Sequence, residues 1–527
     1  MENAIDPTWT SLLPPLIAIS AALISRQIIF SLVLGVFTGA LITYNYQPLT
    51  AFLQMIEHYI VPALADKDHA AIIIFSMMLS GMIGIISRNG GTLGLVALVE
   101  KVAKSARLGQ LATWIMGLVI FFDDYANTLI VGNTMRPITD RFKISREKLS
   151  YIVDSTAAPV AGLFLSTWVG YEIGVIGDAM KGTGFTGDPF SVFLLSIPYR
   201  FYLLLAIVFV LLIALSKRDF GPMLAAERRS YSGKGVMAEG AEPASDLTGT
   251  TALQPKEDKP IRWINGALPI FTVIVVTIYG IYHTGHEAIV KASDPVTLRA
   301  IVSNANSFTA LFWASLSGCT VGIVLSLWQR ILTLHEAFDA WFHGAKALLL
   351  AMIILILAWS IASVTKELGT AEYIVKVLHG TLPIWTIPAL TFVIAAAISF
   401  ATGTSWGTMA ILMPLVVPLL WKMAVSADLD PVATRDTLYL GVSAVLAGAI
   451  WGDHCSPISD TTILSSMASS CDHIDHVKTQ MPYAIVVGIV SVIALILAAR
   501  GINVWAILGG SIVVLALLVR FVGRKTH

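Results

Sequence analysis

Long apolar runs, separated by short charged or turn-forming stretches, recur along almost the whole of this 527-residue chain. A bilayer core takes about 20 apolar residues in a straight helix, with a lower limit near 17. Full crossings are therefore expected near 11–25, 28–45, 70–87, 149–177 and 190–216. A second set is expected near 263–282, 307–328, 347–364, 437–470 and 481–499, and a last one at 503–519. The first run is short, and Arg26 marks its boundary with the second. Residues 217–262 interrupt the series: rich in Gly, Ser, Glu and Lys, with no apolar period, they read as a flexible soluble linker.

Two stretches depart from a simple crossing. Residues 380–421 contain no charged side chain at all, yet their middle is Ser399-Phe400-Ala401-Thr402-Gly403-Thr404-Ser405-Trp406-Gly407-Thr408, a poor helix. Residues 108–135 break in the same way around Phe121-Phe122-Asp123-Asp124-Tyr125-Ala126-Asn127-Thr128. Each reads as a hairpin that dips into the bilayer and returns, over about 108–141 and 384–421. Turn backbone at that depth survives only when packed in protein or facing a water-filled cavity. After each hairpin comes a broken helix, about 149–177 and 437–470, interrupted near Pro159 and Pro457.

With each hairpin returning to its own side, five crossings precede the linker and six follow it. Placing the linker and the C-terminus in the cytoplasm puts most of the basic residues inside, including the cluster Arg136, Arg141, Lys143, Arg146 and Lys148. Five is odd, so two equivalent halves would be inserted upside down relative to each other. Laying Gly91-Thr92 on Gly369-Thr370 also lays Phe122 on Phe400 and Asn127 on Ser405. The expected fold is thus an all-α polytopic membrane protein of two inverted repeats, 1–216 and 263–499, with an extra span and tail at 500–527. Interrupted helices in inverted repeats are the sequence pointer to a secondary transporter.

Composition agrees. Apolar residues make up 56% and charged residues 13%, with mean hydropathy +0.76. Soluble domains carry roughly 25% charged residues, so an ordinary soluble enzyme is excluded. The 34 basic residues balance 34 acidic ones, which gives no sign of a nucleic-acid partner. Cys319, Cys455 and Cys471 have neither metal-ligand spacing nor a disulfide framework, and no cleavable signal peptide is expected.

The chemistry lies in polar residues at membrane depth. A carboxylate near the centre of a spanning helix costs about 2.5–3.5 kcal/mol on insertion scales. Asp123, Asp124, Asp453 and Asp460 are therefore expected to bind an ion or carry a proton. Asn127, Thr128, Thr156, Thr402, Thr404, Ser405, Ser456, Ser459 and Thr461 add hard oxygen donors, the set a hard cation prefers. That set suits Na⁺, with an organic anion beside it as an alternative cargo. Helix breaks also free carbonyl groups for a cation and N-termini for an anion.

Three stretches carry a resemblance. Gly452-Asp453-His454-Cys455-Ser456-Pro457-Ile458-Ser459-Asp460-Thr461-Thr462 resembles the signature of the NhaC family of Na⁺/H⁺ antiporters, as do Phe122-Asp123-Asp124-Tyr125-Ala126-Asn127 and Gly403-Thr404-Ser405-Trp406-Gly407-Thr408. It extends from Pro14-Pro15 to about residue 499. Grouping with the ion-transporter superfamily implies two inverted repeats, two re-entrant hairpins and an elevator-type mobile domain, here 108–177 with 384–470. The resemblance also implies Na⁺ as coupling ion without an organic cofactor, the bacterial inner membrane, and a homodimer. Family members include Na⁺/H⁺ exchangers, a malate–lactate exchanger and relatives that resemble amino-acid carriers.

Burial favours a protonated carboxyl and a bound cation favours the carboxylate, so loading Na⁺ expels H⁺. Asp123 or Asp124 is the first expectation for the titrating group, with Asp453 and Asp460 next. Asn127, Thr402, Ser405, Asp453 and Ser456 are the expected Na⁺ ligands. A helix-capping role is the alternative for Asp124. The same fold could instead carry a small carboxylate or an amino acid. An intramembrane aspartyl protease is a remote rival, since Asp453 lacks the Gly-x-Gly-Asp context. Asp472-His473-Ile474-Asp475-His476 has metal-like spacing but reads as a solvated loop. Trp406, at a hairpin tip, is a candidate cargo contact, while Trp168, Trp385 and Trp451 also fit interfacial anchors.

Overall fold

A computed structural model describes residues 8–25, 27–100, 104–181, 183–185, 187–241, 255–256, 259–292, 301, 304–378 and 382–526. The boundary at Arg26 and the middle of the linker, 242–254, lie outside the described residues.

The described chain is helical apart from one two-stranded contact. Eight of its helices are long and apolar enough to cross a membrane. The number is ten if two bent pairs, Ile29–Thr43 with Pro48–Ala65 and Pro189–Tyr199 with Phe201–Ser216, each count as one span. The window on Ile264–Lys291 is only 33% buried, so its apolar side chains face outward, as in lipid. These helices make the chain an integral, multi-pass membrane protein.

The eleven expected crossings are not all found as single long helices. The run 11–25 is a short helix, Leu13–Ser25. The stretch 149–177 is broken into Arg146–Ser155, Ala158–Ala161 and Trp168–Lys181. The second broken segment comprises Pro431–Cys455 and Asp460–Ala468, parted at Ser456–Ser459, where Pro457 cannot continue the backbone ladder. Asp430 caps the former by accepting from the amides of Val432 at 2.9 Å and Ala433 at 3.1 Å.

The two expected hairpins are helix pairs. The first joins Ala106–Val119 to Asp124–Arg141, and the second joins Ile387–Thr402 to Ser405–Ser426. Both arms of the second pair, Ile384–Thr402 and Ser405–Ser426, are long and apolar enough to span, which the broken centre of 380–421 does not suggest. Gly403 ends the preceding arm at φ +70°, a left-handed conformation that favours glycine.

The packing is crossed. Ile28–Thr43 packs on Leu349–Glu367, while Ser307–Trp328 packs on Lys67–Arg88. Asp124–Arg141 packs on Asp460–Ala468, while Ser405–Ser426 packs on Trp168–Lys181. Each half of the chain thus supplies the far segment that meets the other half's helix pair. The breaks are thereby gathered into one interior.

The start of the presumed flexible linker is ordered. Arg218–Asp219 pairs antiparallel with Arg524–Lys525, and helix Gly221–Tyr231 packs on Arg146–Ser155 and on His473–Ala499. Buried Glu227 and Met223 anchor that helix, so two or three inward residues suffice where no longer apolar period exists. A bent arm at 48–65, entered at 119°, was not expected from the apolar pattern.

Candidate functional site

The first tip, Ile120 to Asp123, reverses the chain. The side-chain amide of Asn127 donates back to the carbonyl oxygens of Gly117 at 2.7 Å and Ile120 at 3.0 Å, and across to that of Thr156 at 3.0 Å. One amide therefore ties the tip to the break of the first broken helix, while its Oδ1 is buried without a hydrogen-bond partner. The Thr156 hydroxyl donates to the Ile152 carbonyl at 2.8 Å, and that of Thr128 to the Asp124 carbonyl at 2.8 Å. Asp124 is 2% exposed; its Oδ2 makes no hydrogen bond of full geometry and neighbours the buried, likewise unpaired Nε1 of Trp168. Asp123 is half-buried and accepts the Thr167 hydroxyl at 3.1 Å.

At the second break, Asp453 is 5% exposed and its Oδ1 is likewise unpaired. Ser405 and Ser459 are its neighbouring hydroxyls. The Ser405 hydroxyl is likewise without a hydrogen-bond partner, while Ser459 and Thr461 share a hydrogen bond of 3.0 Å. The Ser456 hydroxyl donates to the Phe400 carbonyl at 2.7 Å, and that of Thr402 to the Ile398 carbonyl at 2.8 Å. Thr404 is half-buried, and its carbonyl accepts the Thr408 hydroxyl at 3.0 Å. The expected five-residue Na⁺ set divides accordingly: Ser405 adjoins Asp453, Thr402 and Ser456 brace the second tip, and Asn127 braces the first. Tyr125 lies within electrostatic reach of Asp123, Asp124, Asp453 and Asp460, so the two breaks face a common region.

Asp460, on the first turn of its helix, is exposed but lies beside Tyr125, while Thr461 and Thr462 next to it are buried. Trp406 is held between aromatic rings, with centroids 4.9 Å from Trp168 and 4.4 Å from Tyr171, and its carbonyl accepts the Tyr171 hydroxyl. Trp451 stacks on Phe392 and donates to the Ala484 carbonyl at 3.0 Å, and Arg500 lies 4.0 Å over the Trp385 ring. Both are packing contacts.

Two buried carboxylates went unnoticed in the sequence. Asp154 accepts from Thr462 at 3.2 Å, Ser465 at 3.3 Å and the Gln480 amide at 2.6 Å. Glu172 pairs with Arg200 at 2.7 Å, both fully enclosed. Their signal was available, since each is an isolated acid in an otherwise apolar stretch. The segment 472–476 is not a solvated loop either: Asp472 caps a helix, and His476 is fully buried. Among the described residues, no group of three or more His, Cys, Asp or Glu side chains gathers to hold a metal ion. A cation here would rely on neutral oxygens beside a single carboxylate.

A cavity of about 340 Å³ opens elsewhere, among Asp66, Asp178, Lys181, Lys366, Glu372 and Lys422, and none of the four expected carboxylates lines it.

Comparison with known proteins identifies the lineage. An uncharacterized protein of Haemophilus influenzae is 32% identical over 90% of this chain and 88% of its own length. The arginine/ornithine antiporter ArcD of Halobacterium salinarum is 31% identical over 30% of each chain. In fold, the chain is similar to Neisseria gonorrhoeae MtrF, described as one of a class of antimetabolite efflux pumps, with TM-score 0.53 and 13% identity over 85% of this chain and 84% of that one. Residues 159–500 match the Na⁺/H⁺ antiporter family. That match spans well over half of the chain, which therefore belongs to the Na⁺/H⁺ antiporter family and is a membrane transporter rather than an enzyme.

Proposed function

We propose that the protein exchanges Na⁺ for H⁺ across the membrane, with the two ions competing for Asp124 and Asp453. The observation that carries this reading is the set of buried oxygens without partners at the helix breaks: Asp124 Oδ2, Asn127 Oδ1, Ser405 Oγ and Asp453 Oδ1. Leaving one such group unpaired costs about 1–3 kcal/mol, and more if it is charged. Hard oxygen donors beside a carboxylate fit Na⁺. Either Na⁺ or H⁺ neutralises the carboxylate, whereas the empty, charged site crosses the bilayer poorly. That asymmetry alone yields exchange. Asp123, already engaged by Thr167 and less buried, takes the supporting role.

The crossed packing of the two halves supports inverted repeats, and the helix pairs with their broken helices form the moving bundle, about 108–177 with 384–470. The linker side is taken as cytoplasmic, from the distribution of Lys and Arg.

The test uses proteoliposomes containing a pH-sensitive dye. A Na⁺ pulse should drive proton flux in the wild type, and Asp124→Asn and Asp453→Asn should each abolish it. Full flux in both variants would overturn the assignment.

A second reading is carriage of an amino acid or small carboxylate, favoured by the likeness to the arginine/ornithine antiporter of Halobacterium salinarum. Uptake of a labelled amino-acid panel that follows the Na⁺ gradient would replace simple exchange with this reading.

A further inference from the structure

Ser466 bridges two imidazoles. Its Oγ lies 3.0 Å from His473 Nδ1 and 2.8 Å from His476 Nδ1, and its hydroxyl donates to the Thr462 carbonyl at 2.8 Å. The far nitrogen of each ring has a fixed role. His473 Nε2 sits 2.6 Å from the Pro457 carbonyl, which only accepts, so this nitrogen carries hydrogen. His476 Nε2 sits 2.9 Å from Gln480 Oε1. The Gln480 amide cannot be flipped, because its nitrogen reaches the Asp154 carboxylate at 2.6 Å and the His454 carbonyl at 2.5 Å. His476 Nε2 therefore carries hydrogen too.

A neutral imidazole holds one N–H, so in the neutral state both Nδ1 atoms are acceptors. They face one hydroxyl whose single hydrogen already goes to the Thr462 carbonyl, so in the neutral state neither Nδ1 is given a hydrogen. Adding one proton to either Nδ1 closes the bridge: the protonated ring donates to Ser466 Oγ, and the hydroxyl turns from the Thr462 carbonyl to the other ring. Other groups nearby suit a cation. The Asp154 carboxylate, from the first broken helix, lies 3.8 Å from His476 Nε2 and is held by three donors. Asp472 and Asp475 belong to the same helix, and Glu147 faces Asp475 from the first broken helix. Against these stand Arg146, which donates to the Ser469 and Ser470 carbonyls, and Arg136, which donates to the Ser470 hydroxyl. His454 needs no extra proton, since both its nitrogens face hydroxyls, of Tyr202 at 2.7 Å and Ser155 at 3.1 Å.

We propose that His473, Ser466 and His476 form a proton-binding site, distinct from the ion-binding carboxylates, that shares one proton across the Ser466 hydroxyl. His476 is fully buried and His473 half-buried, so the proton enters from solvent through His473. Bound, it locks the segment Asp460–Ala468 to helix His473–Ala499 and, through Gln480, to the first broken helix. Its role in setting the pH dependence of transport rests on the ion-exchange reading, while its occupancy does not.

Solid-state ¹⁵N NMR of the full-length protein, histidine-labelled and in liposomes near neutral pH, tests occupancy. The wild type should show an imidazolium signal that disappears in His473→Gln, in His476→Gln and in Ser466→Ala. Ser466→Ala keeps both rings and removes little volume, so it separates bridging from misfolding. Two neutral rings in the wild type, or an imidazolium that survives Ser466→Ala, would overturn the site. In proteoliposomes, Ser466→Ala should remove one proton from the steepness of the rate-against-pH curve, and an unchanged curve would overturn the transport role. Absence of any exchange by the wild type, with the imidazolium present, would instead sink the ion-exchange reading.

Discussion

Gly403 shows what a single residue contributes. At φ +70°, a side chain would be strained, and an added Cβ would meet the Ile458 carbonyl oxygen at 2.6 Å. Gly403→Ala should therefore lower the thermal unfolding midpoint in detergent, with at least ~1–2 kcal/mol from the left-handed conformation alone. Gly509→Ala, where nothing lies within 4 Å, should leave it level or slightly higher. Asp124 and Asp453 were legible as buried acids because they sit in polar, turn-forming sequence at depth. Asp154 and Glu172 are less legible, because their only signal is that each is a lone acid inside a helical stretch. His476 resembles a loop residue in the sequence because Asp472 and Asp475 just before it mask an amphipathic first turn.

Among elements, the breaks were the most legible. Pro159, Pro457, Gly403 and clustered Ser and Thr mark them directly. What fastens them was not visible, because it depends on contacts far apart in sequence. Arg200 shows this: it pairs with Glu172 and also donates to the Gly162 carbonyl and, at 3.1 Å, to the Ser196 hydroxyl, tying the first broken helix to the next span. Arg200→Leu should cost about 3–5 kcal/mol, because an uncompensated buried charge remains. The double change Glu172→Leu with Arg200→Leu should recover much of that loss in the same thermal assay. Equal destabilisation by the single and double changes would show that packing, not charge, is the bond. The bent arm at 48–65 is hidden in the apolar pattern because Gln54, Glu57, His58 and Pro62 cut its apolar residues into runs too short to read as a crossing.

At the scale of the whole molecule, the C-terminal strand closes over the linker. Asp219, paired in that strand contact, accepts from Lys148 and from the Tyr483 hydroxyl at 2.5 Å, and Glu227 accepts the Ser145 amide at 2.8 Å. Burial outweighs the attraction of Lys148 and, with Asp219 alongside, pushes the Glu227 carboxyl up to about 7 from its ordinary 4.5. The folded clamp therefore binds a proton that the open chain releases. Its contribution to stability is complete below about 4.5 and is lost as pH rises through about 7. Hydrogen exchange within 218–231, corrected for the intrinsic rate, should accelerate between about pH 6 and 8, and Glu227→Gln should remove that dependence. The crossed pairing of the halves was only foreshadowed in the sequence, by the order of breaks rather than by identity, since packing constrains shape more than residue type.

The central claim is that Na⁺ and H⁺ occupy the same buried carboxylates. Adding Na⁺ to purified wild-type protein in weakly buffered solution near neutral pH reads this directly, as protons released. The account predicts saturable release that is lost when Asp124 and Asp453 are both changed to Asn, with K⁺ as a silent control. Undiminished release from that double variant, or none from a wild type that binds Na⁺, would contradict it.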